Sequence, residues 1–559
     1  MNEAVRDTPT LTALDETTRR QRLASGPSRS VWVSANAGSG KTHVLTQRVI
    51  RLMLAGTRPS SILCLTYTKA AASEMSNRVF ERLSHWTSVD DEALSGEIEK
   101  MEGVAPNRIK LAEARKLFAR ALESPGGLKI QTIHAFCESL LHQFPLEANV
   151  AGHFSVLDDK AAASLLSEAR RQLLTATQAV SNPALAKAFH DVLGIADESG
   201  LNRLLSDVIA QRTPIRHFLA FAAPRGGFGV ALAQSLGLKA GQTIEDIARK
   251  AWPLPGLSLG AVQDYVALAN AKGGVKVQET AYKLNLAVHE NEPMKRLELL
   301  RATFLKQDET PYADTSFSSK DMRNRDGDLC DRVASLRGFV ETVWQEYKTQ
   351  RMYEATVGAL TLAEQLIDNY EQLKKERSFL DFEDFINRTE LLLRKADIGP
   401  WVHYKLDQGI DHILVDEAQD TSPSQWEIIR SLTEEFFSGS SGRLVNRTIF
   451  AVGDEKQSIY SFQGARPERF ALERRSAEER AQAGSREFAP VNLYVSFRST
   501  EDVLTAVDRV FADPDNARGL SFEQEPVIHE TSRLGQAGAV DIWETVAEEG
   551  SAEEDEDWL

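Results

Sequence analysis

Three short runs carry residue types that do phosphate chemistry when a fold brings them together. The first is Ser34-Ala35-Asn36-Ala37-Gly38-Ser39-Gly40-Lys41-Thr42. It lies directly behind the apolar run Val31-Trp32-Val33 and ahead of an amphipathic helical pattern from Thr42 to Leu54, which Gly56 stops. Strand, glycine-rich turn and helix are the setting in which a phosphate-binding loop works. Glycines let successive backbone N–H groups face one anion, and the helix N-terminus adds partial positive charge. On that reading Ala35, Asn36, Ala37, Gly38, Ser39 and Gly40 form the cradle. Lys41 reaches the β- and γ-phosphates and the Thr42 hydroxyl ligates Mg²⁺. Ala35 stands where the full pattern has its first glycine, and a plain Gly/Ser turn between strand and helix is the competing reading.

The second run, Ile413-Leu414-Val415-Asp416-Glu417-Ala418-Gln419-Asp420, is an apolar strand ending in two adjacent acids. Mg²⁺ prefers carboxylate and water oxygens, so Asp416 can hold an ion that Thr42 also touches. Glu417 can then take a proton from the water that attacks a γ-phosphate. The third run reads from Val452-Gly453-Asp454 through Gln457 to Tyr460-Ser461-Phe462-Gln463-Gly464-Ala465. An amide at Gln457 can sense a γ-phosphate. Tyr460 and Phe462 either stack on unpaired bases, worth ~1–3 kcal/mol per base whatever the sequence, or pack as ordinary core aromatics.

Positioning these runs takes a sheet. Val31–Val33, Ile62–Tyr67, Leu128–Ile133, Ile413–Val415 and Ile449–Val452 read as buried strands, and helical periodicity between the first three predicts β-α units on a parallel sheet. From about Asp158 to Arg377 the pattern changes to helices, as in Ala161–Leu174, Pro183–Leu193 and Leu360–Glu376. Breaks are expected at Trp252–Gly256 and at Asp308–Asp328, both turn-rich or polar. The strand pattern resumes near His412, so an all-helical domain interrupts an α/β domain. Val540-Asp541-Ile542-Trp543 reads as one further strand.

The apolar and charged fractions, 42% and 26%, are those of a soluble globular chain, and 559 residues suffice for three or four domains. No apolar run approaches the ~20 residues needed to span a bilayer. Met1–Arg29 has no apolar signal-peptide core. Cys64, Cys137 and Cys330 lack paired spacing and read as buried thiols of a reducing, bacterial-type cytoplasm. The net charge of −16 argues against nonspecific coating of nucleic acid but leaves room for a local basic or aromatic groove. Part of the excess sits in the tail Glu544–Asp557, which reads as a solvated face.

The three runs together resemble motifs I, II and III of superfamily 1 DNA helicases of the UvrD/Rep type. Further segments are similar, in family order. Gln21 resembles the adenine-reading glutamine ahead of the phosphate loop. Thr66-Tyr67-Thr68-Lys69-Ala70-Ala71 and Thr132-Ile133-His134-Ala135-Phe136 resemble DNA-contacting segments. Leu380-Asp381-Phe382-Glu383-Asp384-Phe385 resembles the re-entry from a helical insertion. Asn492–Thr500 resembles motif IV, whose aromatic, here Phe497, stacks on adenine and whose arginine, here Arg498, reaches the γ-phosphate. The wording around Lys41, Tyr67 and Lys456 looks most like the AddA component of bacterial AddAB helicase–nucleases. Phe462 and Gln463 depart from the Trp and Arg usual in plain UvrD.

The resemblance implies ATP and Mg²⁺ as cofactors. It also implies a RecA-like P-loop motor domain over 1–150 and 378–490, a helical insertion over 151–377, and the start of a second, incomplete RecA-like domain over 491–559. Single-stranded DNA would cross Thr66, Tyr67, His134, Tyr460 and Phe462. The implied activity is ATP-dependent 3′-to-5′ DNA translocation and unwinding in double-strand-break repair. Single-stranded DNA, duplex ends and an AddB-like nuclease subunit would be the partners, in a bacterial cytoplasm close to the nucleoid. Motifs V and VI, which lie further on in the family, have no counterpart after Arg498. The chain therefore reads as an N-terminal piece, with an ATP- and DNA-binding module lacking turnover as the alternative. A phosphate-loop kinase or transporter ATPase leaves the Gln457–Phe462 segment unexplained.

Overall fold

The chain folds around six parallel strands: β1 (Ser30–Ala35), β2 (Ile62–Thr66), β3 (Lys129–Thr132), β4 (His412–Val415), β5 (Thr448–Gly453) and β6 (Phe488–Leu493). Their spatial order is β3-β2-β4-β5-β1-β6. The computed structural model describes residues 8–178, 182–239, 241–407, 409–437, 446–522 and 527–544. Residues up to Val156 and from Leu380 on form one unit, and Leu157–Phe379 form another.

Strands β1, β2, β4 and β5 are almost wholly buried, which is why they read as unbroken apolar runs, whereas β3, expected as a buried strand, lies at a sheet edge and is mostly half-buried. Alternate residues feed two cores. Val31, Val33 and Ala35 of β1, with Leu414, Phe450 and Val452, pack against the helices Lys41–Leu54, Lys69–Ser88, Asp91–Glu102 and Arg108–Glu123. Trp32, Leu63, Leu65, Ile413, Val415, Ile449 and Ala451 face the helices Ile133–Gln143, Phe382–Arg394, Pro423–Phe437 and Glu468–Ala483. The five sequence-predicted strands all form. Parallel register then sets where the loops after these strands emerge, because Ser34 pairs with Gly453 and Val415 with Ala451. The carboxyl ends of β4, β5 and β1 thus lie side by side although far apart in the chain.

β6 was not expected as a strand, since Pro490 interrupts its pattern. It is tolerated because β6 is an edge strand that pairs only with β1, with Trp32 opposite Pro490, so the missing N–H faces no neighbour. Residue 490, the expected end of the first motor domain, falls inside this strand. The helix Thr8–Ala24, which carries Gln21, is a second unexpected element. Val540–Trp543 corrects the reading in the other direction. It forms no strand, and Ile542 and Trp543 are almost fully exposed. An apolar alternation becomes a strand only beside a partner, and none stands there among the described residues. The acidic tail beyond Glu544 lies outside the described residues.

In the second unit, helices close around two cores, one centred on Tyr265, Phe304, Phe317 and Val333, the other on Leu165, Leu173, Leu362 and Leu366. Side-chain caps at Asp158, Asn182, Asp197, Thr243 and Ser258 start five of its helices. The expected break at Asp308–Asp328 is only half correct. Helix already begins at Lys320, capped by Ser319, and runs to Glu376 with one interruption at Asp326, whose carboxylate accepts from the Leu329 N–H at 3.0 Å. Polar composition marked a cap inside a helix as a loop. No helix among the described residues is long and apolar enough to cross a membrane. All three cysteines are buried free thiols.

Below the sheet, at the amino ends of its central strands, lies a buried polar network. Arg48 donates to Thr448 Oγ1 at 2.9 Å, Thr448 meets His412 Nδ1 at 2.8 Å, and His412 Nε2 lies 3.3 Å from Thr57 Oγ1. Burial and the neighbouring Arg48 push the His412 pKa down to about 3. The folded state thus refuses a proton that the unfolded chain accepts below about 6.5. Stability should therefore fall as pH drops through 6.5 toward 3, by about 2 kcal/mol at pH 5 from this group alone. Urea unfolding of wild type and His412→Gln checks it: the variant should lose distinctly less stability between pH 7 and pH 5, and parallel pH profiles would refute the assignment.

Candidate nucleotide and nucleic-acid site

The turn after β1 adopts the conformation that its glycines permit. Gly38 and Gly40 have φ of 73° and 89°. Ala35, in the first glycine position, closes β1 as a buried strand residue outside the left-handed region, so nothing there requires glycine. Ser39 is buried and donates to Asn36 O at 2.7 Å, tightening the turn, while Ala37 is exposed at its crest. Lys41 and Thr42 open the helix Lys41–Leu54. Gln21 leans on the turn from the helix Thr8–Ala24, its Nε2 3.4 Å from Ser39 O.

Lys41 Nζ donates to Glu417 Oε2 at 2.8 Å and to Gln457 Oε1 at 3.3 Å. Residues from the ends of β1, β4 and β5 therefore meet at one ammonium. Glu417 sits in the left-handed region at φ 47°, a conformation that a glutamate adopts only when its surroundings hold it there. Its Oε2 also accepts from Gln419 Nε2 at 2.9 Å, and its N–H donates to Asp416 Oδ1 at 3.1 Å. Gln419 in turn accepts from the Asp454 N–H at 3.0 Å, and Gln457 Nε2 donates to Asp454 Oδ2 at 2.6 Å. A Cβ on Gly453 would come within 2.5 Å of Gln419 Oε1, so glycine there admits the amide that links the two loops. Sequence alone gives Gln419 and Asp454 no role within their runs. They join two loops, which only the strand register makes visible.

Asp416 is 8% exposed, and burial, with Glu417 beside it, pushes its pKa up to about 6 despite the pull of Lys41. A hard oxygen ligand desolvated in this way suits Mg²⁺, as does the hydroxyl of Thr42 in the first turn of the helix Lys41–Leu54. The glycine cradle and Lys41 suit a polyphosphate. The residues present fit both groups.

The segment resembling motif IV rests on the same turn. Val495–Ser496 pairs in parallel with Glu530–Thr531, the Phe497 N–H donates to Gly38 O at 2.9 Å, and Asn36 Nδ2 donates to Ile528 O at 3.1 Å. Phe497 and Arg498 are exposed beside the cradle. The Asn36 and Ile528 contact has no signal in sequence, since it depends on how residues 527–533 return to the loop.

On the same carboxyl-end side, aromatics form two groups. Tyr67, at the end of β2, lies 4.4 Å from Tyr460 between ring centroids, and Tyr460 lies 6.1 Å from Phe462. Phe462 is 74% exposed, which rules out core packing for that ring. Burial, then Tyr460 and Asp420, raise the Tyr67 phenol above its ordinary pKa. Thr66, buried at the strand end, donates to Thr68 O at 3.1 Å and shapes the turn beneath Tyr67. The second group is His134, which opens the helix Ile133–Gln143 and is held toward the neutral form by burial. Phe382 packs edge-on against it at 5.5 Å and is half exposed. In sequence Phe382 stands only as part of a re-entry segment. An aromatic at a helix start, left exposed, is the signal that could have found it.

Residues 16–478 match the family model described as UvrD/REP helicase N-terminal domain, in keeping with this geometry, and the chain belongs to that family. Its relatives are named as the A component of an ATP-dependent helicase/nuclease. That of Lactobacillus helveticus is 28% identical over 546 residues, covering 91% of this chain and 41% of the relative. That of Desulforudis audaxviator is 28% identical over 521 residues, covering 86% and 38%, and that of Enterococcus faecalis 26% over 530 residues, covering 86% and 37%. The chain spans about two fifths of the length of these curated relatives.

Gly38→Ala should detach the segment around Phe497. The added Cβ meets Arg498 Cβ and Ser496 Oγ at 2.8 Å, and φ of 73° strains any L side chain. The Phe497 amide should then exchange with solvent about tenfold faster or more, as expected for a locally opened contact. Unchanged protection would mean that the contact does not depend on this glycine.

Proposed function

We propose that this chain forms the ATP-hydrolysing motor part of a DNA helicase that works in double-strand-break repair. The observation that carries the reading is the convergence of Glu417 and Gln457 on Lys41 Nζ, at 2.8 and 3.3 Å, over a glycine cradle. Asn36 to Gly40 line the phosphates with backbone N–H groups, and Gln21 and Phe497 hold the adenine. Thr42 and Asp416 supply oxygen ligands to Mg²⁺, which when bound adds positive charge at the β- and γ-phosphates. Lys41 shares its ammonium between Glu417 and the γ-phosphate. Glu417, fixed by Gln419, takes the proton of the attacking water. Gln457 reads the γ-phosphate and is tied through Asp454 to the loop that bears Tyr460 and Phe462, which links nucleotide state to the aromatic surface. Arg498 reaches toward the γ-phosphate from the motif IV segment.

Single-stranded DNA crosses Thr66, Tyr67, Tyr460 and Phe462 and continues past His134, stepping 3′ to 5′. The relatives are named as one component of a helicase/nuclease, which supports a nuclease partner of the AddB kind, and the reading places the protein in a bacterial cytoplasm close to the nucleoid. In this reading residues 151–377 are the helical insertion of a motor domain spanning 1–150 and 378–490, and 491–559 open a second motor domain. DNA-stimulated hydrolysis by purified 1–559 separates a working motor from a module that holds ATP and DNA without turnover. Single-strand-stimulated turnover above about 1 s⁻¹, the low end of ordinary enzymes, would mark the motor, and binding of both ligands without it the module.

In a chain that turns over, Lys41→Ala should abolish hydrolysis, while Glu417→Gln should bind ATP and lose turnover by a factor of about 10² or more. Near wild-type hydrolysis by Glu417→Gln would remove it from the base role. For DNA, Tyr460→Ala and Tyr67→Ala should each weaken single-strand binding by about 1–3 kcal/mol with little dependence on base identity. Equal affinity of wild type and both variants in oligonucleotide titrations would return these rings to a packing role.

A further inference from the structure

Two arginines of the helix Lys41–Leu54 are used in a way that the nucleotide site does not by itself explain. Arg48 is completely buried, yet makes no ion pair among the described residues. Its Nη1 donates to Ala24 O at 3.1 Å and Gly26 O at 2.6 Å, and its Nη2 donates to Arg29 O at 2.7 Å and Thr448 Oγ1 at 2.9 Å. Arg51 Nη1 donates to Arg22 O and to Ser25 Oγ, both at 2.7 Å. The carbonyls involved end the helix Thr8–Ala24 and line the loop after it. Such groups lack intrahelical partners and carry the negative end of the helix dipole, so a guanidinium satisfies both needs. Burying a full charge against three carbonyls, one hydroxyl and the Phe450 ring, 5.2 Å from the guanidinium, is costly, and an apolar side chain would fill the space more cheaply. The position therefore does something that packing does not require.

The clamped helix is the one that carries Gln21. Ser25 N–H donates to Gln21 O at 2.9 Å, and Gln21 Nε2 reaches 3.4 Å from Ser39 O. Its other polar anchors are Arg20, to Asn492 O at 3.1 Å, and Arg22, to Lys100 O at 3.0 Å. Arg48 and Arg51 lie about two and three turns beyond Lys41 on the phosphate-loop helix. The cradle for the phosphates is backbone belonging to β1 and its own helix. The base-facing amide comes from a separate helix, locked to that frame at its C-terminal end by these two side chains.

We propose that Arg48, assisted by Arg51, is a positioning residue for nucleotide recognition, holding Gln21 in register with the phosphate loop so that recognition of the base, rather than of the phosphates, depends on it. The inference rests on the ATP-site reading above. Arg48→Lys keeps the charge but cannot span Gly26 O, Arg29 O and Thr448 together.

The test compares two probes on purified 1–559 with Mg²⁺: ATP, and inorganic tripolyphosphate, which has no base. Arg48→Lys should weaken ATP about tenfold and leave tripolyphosphate within about twofold, Gln21→Ala should show the same split, and the double variant should be no weaker than either single one. Parallel loss of both probes would make Arg48 a prop of the loop and overturn the proposal, as would additive losses or an unchanged ATP affinity. Where Arg48→Lys does not fold, Arg51→Gln carries the test, with a loss of about threefold for ATP and none for tripolyphosphate. Wild type that binds neither probe would overturn the nucleotide reading itself, a different result from a failed split.

Discussion

The unit built on the six-stranded sheet is organised around one ammonium. Lys41 Nζ is the point at which the ends of β1, β4 and β5 meet, through Glu417 and Gln457. Those acceptors lie hundreds of residues further along the chain, with a helical unit in between. What brings them together is parallel register. Once Val415 stands opposite Ala451 and Ser34 opposite Gly453, the loops that follow must emerge side by side. Parallel α/β sheets gather chemistry at their carboxyl ends for this reason, and the order β4-β5-β1 leaves the phosphate loop next to the strand that ends in Gly-Asp.

The two ends of the sheet solve opposite problems. At the amino ends, Arg48, Thr448, His412 and Thr57 form a hydrogen-bonded chain in which the imidazole stays neutral. At the carboxyl ends, cost is retained. Asp416 is buried with its carboxyl pushed upward, and Glu417 is held in a left-handed conformation. A fold selected for stability alone would remove both, since burial of a carboxylate and backbone strain each cost on the order of 1–3 kcal/mol. Their coexistence beside a glycine cradle supports the site proposed above, in which a divalent cation would relieve the first and a fixed base would need the second.

How much of this was legible in sequence differs by element, for physical reasons. The four inner strands were, because burial on both faces leaves an apolar run that no surface strand has, and the edge strand β3 was found as a strand although it is only half-buried. The cradle was, because its glycines fall where φ is positive. Ala35 departs from the familiar pattern at a position whose backbone is ordinary strand, so pattern and physics disagreed only in appearance. β6 was hidden by Pro490, which is harmless at an edge and would be ruinous one strand further in. The helix from Lys320 was hidden by polar residues of which Asp326 caps an internal restart. Val540–Trp543 shows the converse failure, since alternation describes a side chain's preference and not the presence of a neighbour. Lys41, Glu417 and Gln457 were singled out through the chemistry of their residue types, while their meeting at one ammonium follows from register and had no sequence signal. The Arg48 clamp was not, because its acceptors are backbone carbonyls, which leave no trace in residue identity.

The aromatic surface bears on the apparent conflict between a net charge of −16 and a nucleic-acid partner. Bulk charge governs long-range attraction, which salt screens within about 10 Å at ordinary ionic strength. Stacking acts at contact, and every base offers a face. Phe462 stands largely free of its own core, next to Tyr460, which itself leans on Tyr67. Rings left in water at the end of a sheet have a cost that burial would remove, on the order of 25 cal/mol per Å² of apolar surface. Placed on the loop that Gln457 and Asp454 tie to the phosphate cradle, such a surface can change its grip with the nucleotide without relying on the charge of the whole chain. That placement is the structural sense in which an acidic protein can still hold and release a strand.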